Sequence, residues 1–152
     1  MSFNVFATLP CEEKINFLSL QIGSVFFYKD ETISKANRWH FLVGHNEGIF
    51  YFVHPQSNIE SRLAVRNETR GSLKTLVIAD SQDYPELTWE SVFDCNTVRD
   101  YNRDWLISIC KNGLFDLRSA CSSALKQKIC GAIEQSLLVS DHVKEIIKRS
   151  QS

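Results

Sequence analysis

The chain has no run of apolar residues approaching the ~18 that a membrane-spanning helix needs, because charges interrupt every hydrophobic stretch. Its first residues, Met1 to Leu9, are apolar but lack the positive start, long hydrophobic core and small-residue cleavage site of a secretion signal. The expected location is the cytoplasm, with no membrane partner. Nor is there an excess of positive charge, since 17 Lys and Arg stand against 18 Asp and Glu. That balance argues against a polybasic nucleic-acid coat, while a local cluster on a neutral surface can still hold a phosphate. No CxxC pair occurs, and none of Cys11, Cys95, Cys110, Cys121 and Cys130 has a histidine nearby at metal-ligand spacing. Buried free thiols are the expectation, a catalytic cysteine the alternative, and no metal, nucleotide or redox cofactor motif is found. Internal repeats, low-complexity tracts and dividing linkers are missing as well, which implies one domain over residues 1–152.

What is present suits a packed core: 43% hydrophobic residues in a chain of 152 can bury enough apolar surface to fold unaided. Residues 10–21 open with Pro10, carry Glu12 and Glu13 in the first turn and space Ile15, Phe17 and Leu18 as a short amphipathic helix does. From Ile22 the pattern changes to aromatic and β-branched runs, GSVFFYK, RWHFLVGH and GIFYFVHP, which predict three strands. Between the second and third, His45-Asn46-Glu47-Gly48 offers asparagine and glycine for the positive φ of a tight hairpin, so these strands are expected to pair antiparallel. Residues 57–73 are polar and read either as a flexible loop or as a short helix. KTLVIADS, WESVFDC and TVRDY then predict two or three more strands.

The end of the chain is helical. Leu125, Ile129, Ile133 and Leu137 recur every four residues, with Ala132 and Leu138 widening the stripe and Ser122 or Ser123 as N-cap. A terminal helix over 141–149 carries Val143, Ile146 and Ile147 on one side and Lys148 and Arg149 at its end. The expected class is β-rich α+β, with a helical extension over 1–21, a β unit over 22–105 and helices over 119–149.

Several segments resemble the MazF/PemK toxins and the related CcdB fold. Ile22-Gly23-Ser24-Val25 is similar to the family's opening strand, and Asn37 to Asn46 to its arginine-led second strand. Ser91 to Leu106, SVFDCNTVRDYNRDWL, is similar to its paired-strand segment, with Val98 and Arg99 at the hydrophobic-Arg pair. SSALKQKICGAIEQSLLV resembles its closing helix, so the match spans roughly residues 22–139 by pattern reading. The resemblance implies a small SH3-like β-barrel of the CcdB/PemK type. It also implies a homodimeric, metal-independent endoribonuclease that cuts single-stranded RNA by 2′-hydroxyl attack, leaving a 2′,3′-cyclic phosphate and a 5′-hydroxyl, and that is inhibited by an antitoxin protein. A non-catalytic protein- or nucleic-acid-binding module on the same barrel is the alternative. Trp39 replaces the proline that usually follows the motif arginine, Asn96 stands where glutamine is common, and the 30–37 loop is short.

Metal-free cleavage of RNA needs a base for the 2′-hydroxyl, a donor for the charged phosphorane and an acid for the leaving oxygen. Arg38 matches the family's phosphate-binding arginine, and its planar fork of donors suits a phosphate. The bland alternative is an arginine covering a strand end. Where the family has threonine or an acid after the third strand, this chain has His54-Pro55-Gln56-Ser57. His54 titrates near the working pH of an acid–base catalyst and Ser57 can donate to phosphate. Against this, a lone histidine is more often structural. His40 lies two residues from Arg38 and shares its face of a strand, so Arg38, His40 and His54 form a candidate cluster. Arg62, Arg66 and Arg70, four residues apart, read as a phosphate-tracking strip or as a solvated face. Trp39, Tyr51 and Trp89 are candidates for base stacking, with Trp39 expected to be buried by its strand alternation.

Overall fold

The computed structural model describes residues 8–28, 39–57, 59–61, 63 and 73–151. Arg38, Arg62, Arg66 and Arg70 lie outside the described residues. Helix α1, Cys11–Leu20, begins after Pro10, whose fixed φ suits a helix start, and Ile15 and Leu18 point inward at full burial. Strands β1 (Val25–Tyr28), β2 (Trp39–Asn46) and β3 (Ile49–Val53) follow in the predicted order. The β2–β3 hairpin pairs Asn46 with Ile49, so its two turn residues are Glu47 (φ 50°) and Gly48 (φ 78°). Asn46, expected to supply one of the positive φ angles, is instead the last residue of β2. A primed turn matches the right-handed twist of its strands, which is why Glu47 is held in a region that side chains with a Cβ seldom adopt.

Beyond β3 come β4 (Pro55–Gln56), β5 (Leu76–Ala79), β6 (Ser91–Asp94), β7 (Arg99–Asn102), α2 (Arg103–Lys111), β8 (Phe115–Arg118), α3 (Ser123–Gln135) and α4 (Asp141–Ser150). Residues 59–61 and 63 are helical, in the segment read as loop or short helix. The class is α+β: five antiparallel strands in the order β7-β3-β2-β1-β8 form a curled half-barrel, and β4-β6-β5 form a second sheet. Sequence reading does not find α2 or β8. The start of α2 is set by Asn102, whose side chain accepts from the Trp105 amide at 2.8 Å, with Asp104 in the first turn. Gly113, at φ 75°, turns the chain into β8, and β8 pairs with β1 from Val25–Arg118 to Tyr28–Phe115.

Both faces of the larger sheet are covered. On one, Phe26, Leu42, Phe50 and Phe52 pack with Ile15 and Leu18 of α1 and Leu106 and Ile109 of α2. On the other, Val25, Phe41, Val43 and Val53 meet Phe93 and Val77 of the smaller sheet, Leu125, Ile129 and Ile133 of α3, and Ile146 and Ile147 of α4. Burying each of these large side chains contributes roughly 1.5–3 kcal/mol, so the alternation along β2 feeds two cores at once. The pairing of β2 with β3 shifts register between Leu42 and Gly44, where a bulge leaves Val43 without an opposite residue. The closing helix ends at Gln135, before Leu137 and Leu138, and these two are 70% and 67% exposed rather than part of the buried stripe. Ser122 is its N-cap, accepting from the Leu125 amide at 3.1 Å.

Candidate functional site

Chain geometry makes residue 54 a junction: β3 ends at Val53 in the larger sheet, β4 starts at Pro55 in the smaller, and His54 alone separates them. A proline at the start of an edge strand leaves no ladder donor unused, which lets the chain change sheets there. His54 is 5% exposed. Its Nδ1 lies 2.8 Å from the Trp39 carbonyl oxygen, and since a carbonyl only accepts, Nδ1 carries the proton and donates. Nε2 is then the lone-pair nitrogen, buried with no hydrogen-bond partner among the described residues. Burial lowers the His54 pKa to about 4; the bond to Trp39 opposes this and the charge of Arg99 adds to it. At neutral pH the ring is therefore uncharged.

His40 does meet His54. The two rings are 4.4 Å apart and edge to face, with His40 stacked on Phe26 at 4.3 Å. The meeting is internal, because His40 is only 2% exposed. Ser57, by contrast, is exposed and lines an open cleft of about 240 Å³ together with Trp39, Glu86, Thr88, Trp89 and Ser91. Trp39 is half-buried, as its strand position suggests: its ring packs edge-on against Phe27 and Tyr84. Trp89 is 75% exposed and so presents its indole to solvent. Tyr51 is buried in the core.

The far wall of the cleft comes from the loop between β5 and β6. Asp80 and Asp83 fold its start into a turn, with Asp83 accepting from the Asp80 amide at 3.1 Å and Asp80 from the Gln82 amide at 2.8 Å. Tyr84, 1% exposed, anchors it by donating its hydroxyl to the Ser119 carbonyl at 2.6 Å. Glu86 follows, tied to Arg118 of β8 at 3.3 Å. Arg118 also pairs with Asp116 at 2.7 Å and lies over the Trp39 ring at 5.7 Å. Its charge is thus compensated on two sides while the guanidinium rests against the Trp39 ring from the side of β8.

Sequence reasoning did not single out Glu86, Thr88 or Arg118. They lie in a loop and on a short edge strand without periodicity, and only tertiary contacts, such as Tyr84 with Ser119 35 residues on, bring them to β2. The larger cavity, of about 600 Å³, is elsewhere, between the ends of α1, β2 and α4, and none of the predicted site residues lines it. Among the described residues no group of His, Cys, Asp and Glu is arranged to hold a metal ion, and no helix is long and apolar enough to cross a membrane. No family model matches the chain, and no curated protein matches it significantly.

Proposed function

We propose that the protein is a divergent endoribonuclease of the MazF/PemK kind, with a CcdB/PemK-type barrel, acting on single-stranded RNA in the cytoplasm. The observation that carries this reading is that Ser57 and Trp39, the latter next in the chain to Arg38, line the same open cleft. The resemblance assigns phosphate chemistry to these two stretches of sequence, which stand at opposite ends of the β2–β3 hairpin and its exit. In this reading Arg38 neutralises the scissile phosphate and the Ser57 hydroxyl donates to a non-bridging oxygen. Glu86, the carboxylate of the cleft wall, accepts the proton of the attacking 2′-hydroxyl, and water from the open cleft protonates the leaving 5′-oxygen. Trp89 offers a stacking surface for an unpaired base. His54 is a positioning residue, since its bond to Trp39 ties the sheet junction to the start of β2. A homodimer held in check by an antitoxin that covers the cleft completes the proposal.

The alternative is a binding module without catalysis, and the burial of His54 favours it, because no imidazole stands in the cleft to protonate a leaving oxygen. Incubation of purified protein with mixed-sequence single-stranded RNA separates the two. Cleavage products with 5′-hydroxyl and 2′,3′-cyclic phosphate ends are expected, with loss of activity in Arg38→Ala and Glu86→Gln. Intact RNA in the presence of folded protein would refute the nuclease and leave the binding module, and undiminished cleavage by Arg38→Ala would refute the assigned phosphate site.

A further inference from the structure

The cavity of about 600 Å³ between the ends of α1, β2 and α4, with α3 on its remaining side, shares no residue with the proposed RNA cleft. Its charged side chains are Lys126 and Arg149, and the His45 imidazole joins them on the wall. Among the described residues no Asp or Glu lines it. In a chain with 18 acids against 17 bases, a cavity wall of one sign departs from the balance of the whole.

Lys126 is half-buried, and its stem lies where a side chain at residue 23 would otherwise stand: a Cβ on Gly23 would be 3.6 Å from the Lys126 Cδ. No carboxylate pairs with its ammonium among the described residues. Arg149 meets Glu145 only through Nε at 3.7 Å, an exposed pair one helical turn apart that water screens. The elements that carry these groups are locked together. The Ser150 hydroxyl accepts from the His45 amide at 3.2 Å, and the Gln151 side chain donates to the Val43 and Ile147 carbonyls at 2.8 Å each. A ligand therefore meets a wall that is already formed, which lowers the cost of binding. The side chains of Gln21, Asn46 and Ser123, on the same wall, make no hydrogen bond among the described residues. Leu20, also on the wall, is 81% exposed.

We infer that this cavity is a binding site for a phosphomonoester of nucleotide size, distinct from the RNA cleft and independent of the cleavage reading. The phosphate sits between Lys126 and Arg149, a point charge and a planar fork of donors. The organic part covers Leu20, and the amides of Gln21 and Asn46 each offer it a donor and an acceptor. Size selects this class over a bare anion: the volume lies within the roughly 300–1,000 Å³ of small-molecule sites, and inorganic phosphate would satisfy the cations while leaving Leu20 uncovered.

The test is equilibrium dialysis of the full chain against radiolabelled adenosine 5′-monophosphate, with adenosine and inorganic phosphate as its two fragments. The nucleotide has no phosphodiester to cut, so the result does not depend on the outcome of the RNA assay. It is expected to bind at least about tenfold more tightly than either fragment. Lys126→Met keeps the stem on Gly23 and removes the charge, and Arg149→Gln changes an exposed side chain, so thermal unfolding should show both variants folded. Each is expected to weaken nucleotide binding by about tenfold or more. Arg38→Ala, in the RNA cleft, is expected to leave it unchanged. Absence of nucleotide binding, equal affinity for the nucleotide and either fragment, full affinity in either charge variant, or loss of affinity in Arg38→Ala would each overturn the proposal.

Discussion

The Nδ1 of His54 donates to the carbonyl oxygen of Trp39 across 2.8 Å, and this one bond ties the residue where the chain changes sheets to the residue that opens β2. It leaves Nε2 as a buried nitrogen with a lone pair and no partner among the described residues. The proton that would charge this ring has no place to go that the fold has prepared, and stability must therefore depend on pH.

His54 titrates near 6.5 in an unfolded chain and at about 4 in the folded one. Between these values the unfolded chain binds the proton and the folded chain does not, so stability is present above the upper value and is lost as pH falls through the lower. A shift of this size corresponds to about 3 kcal/mol in total. Urea unfolding at a series of pH values is expected to show that decline, and His54→Leu to remove this part of it. An unchanged decline in the variant would assign the pH dependence to other groups.

Trp89 lies on the rim of the cleft with 75% of its surface exposed, so Trp89→Ala has little packing to lose and should alter stability by no more than about 0.5 kcal/mol. If a base stacks there, affinity for a short single-stranded RNA falls by about 1–3 kcal/mol. Fluorescence anisotropy of a labelled oligonucleotide measures the affinity and thermal unfolding the stability. Equal affinity in the two proteins would exclude Trp89 as the stacking platform.

Ser136 is fully buried just past α3, where its hydroxyl donates to Asn96 at 2.6 Å and accepts from the amides of Leu138 and Val139 at 3.1 and 3.2 Å. Asn96 in turn donates to Thr75 at 2.6 Å and Asp94 at 2.8 Å, so one hydroxyl links the helix end to the smaller sheet. Ser136→Ala leaves these groups short of a partner and is expected to cost about 1–3 kcal/mol in chemical unfolding. Ser140→Ala, which removes only the exposed cap of α4, should cost less.

Gly44 is the point of closest approach between β2 and α4: a Cβ there would stand 3.1 Å from the Ile147 Cα and 3.1 Å from the Ser150 Oγ. The first of these is backbone and cannot rotate away. Gly44→Ala is therefore expected to push α4 off the sheet and cost about 1–3 kcal/mol. Gly48→Ala has open space around its Cβ and pays instead for a φ of 78°, so its cost reports backbone strain alone.

The β2–β3 hairpin, α1, α3 and α4 were legible in the sequence because their signals are local. Ile15 and Leu18 lie three residues apart, and Leu125, Ile129 and Ile133 four, so each helix carries its buried stripe within a few turns of chain. The limits of local reading show at Leu137, which continues the four-residue spacing although Ser136 has turned its hydroxyl to Asn96 and ended the helix. Helix α2 went unread because its nine residues follow β7 directly and are too few to repeat their apolar spacing, and β8, Phe115–Arg118, because it gains its partner only from β1, some ninety residues earlier.

At the site the sequence by itself determined which chemical groups are available: His40, His54 and Ser57 on a hairpin and its exit, with no metal-ligand spacing among the cysteines. Strand alternation could set which residues share a face, but not whether that face meets water, because a sheet covered on both sides buries either one. The tertiary structure decided that helices α1 and α2 cover the His40 face, that the histidine pair is therefore internal with His54 uncharged, and that Ser57 opens to the solvent. The wall opposite Ser57, Glu86 to Trp89, comes from a loop whose place is fixed by the Tyr84–Ser119 and Glu86–Arg118 contacts. Such long-range closure depends on the free energy of the whole packed chain rather than on any local run of residues.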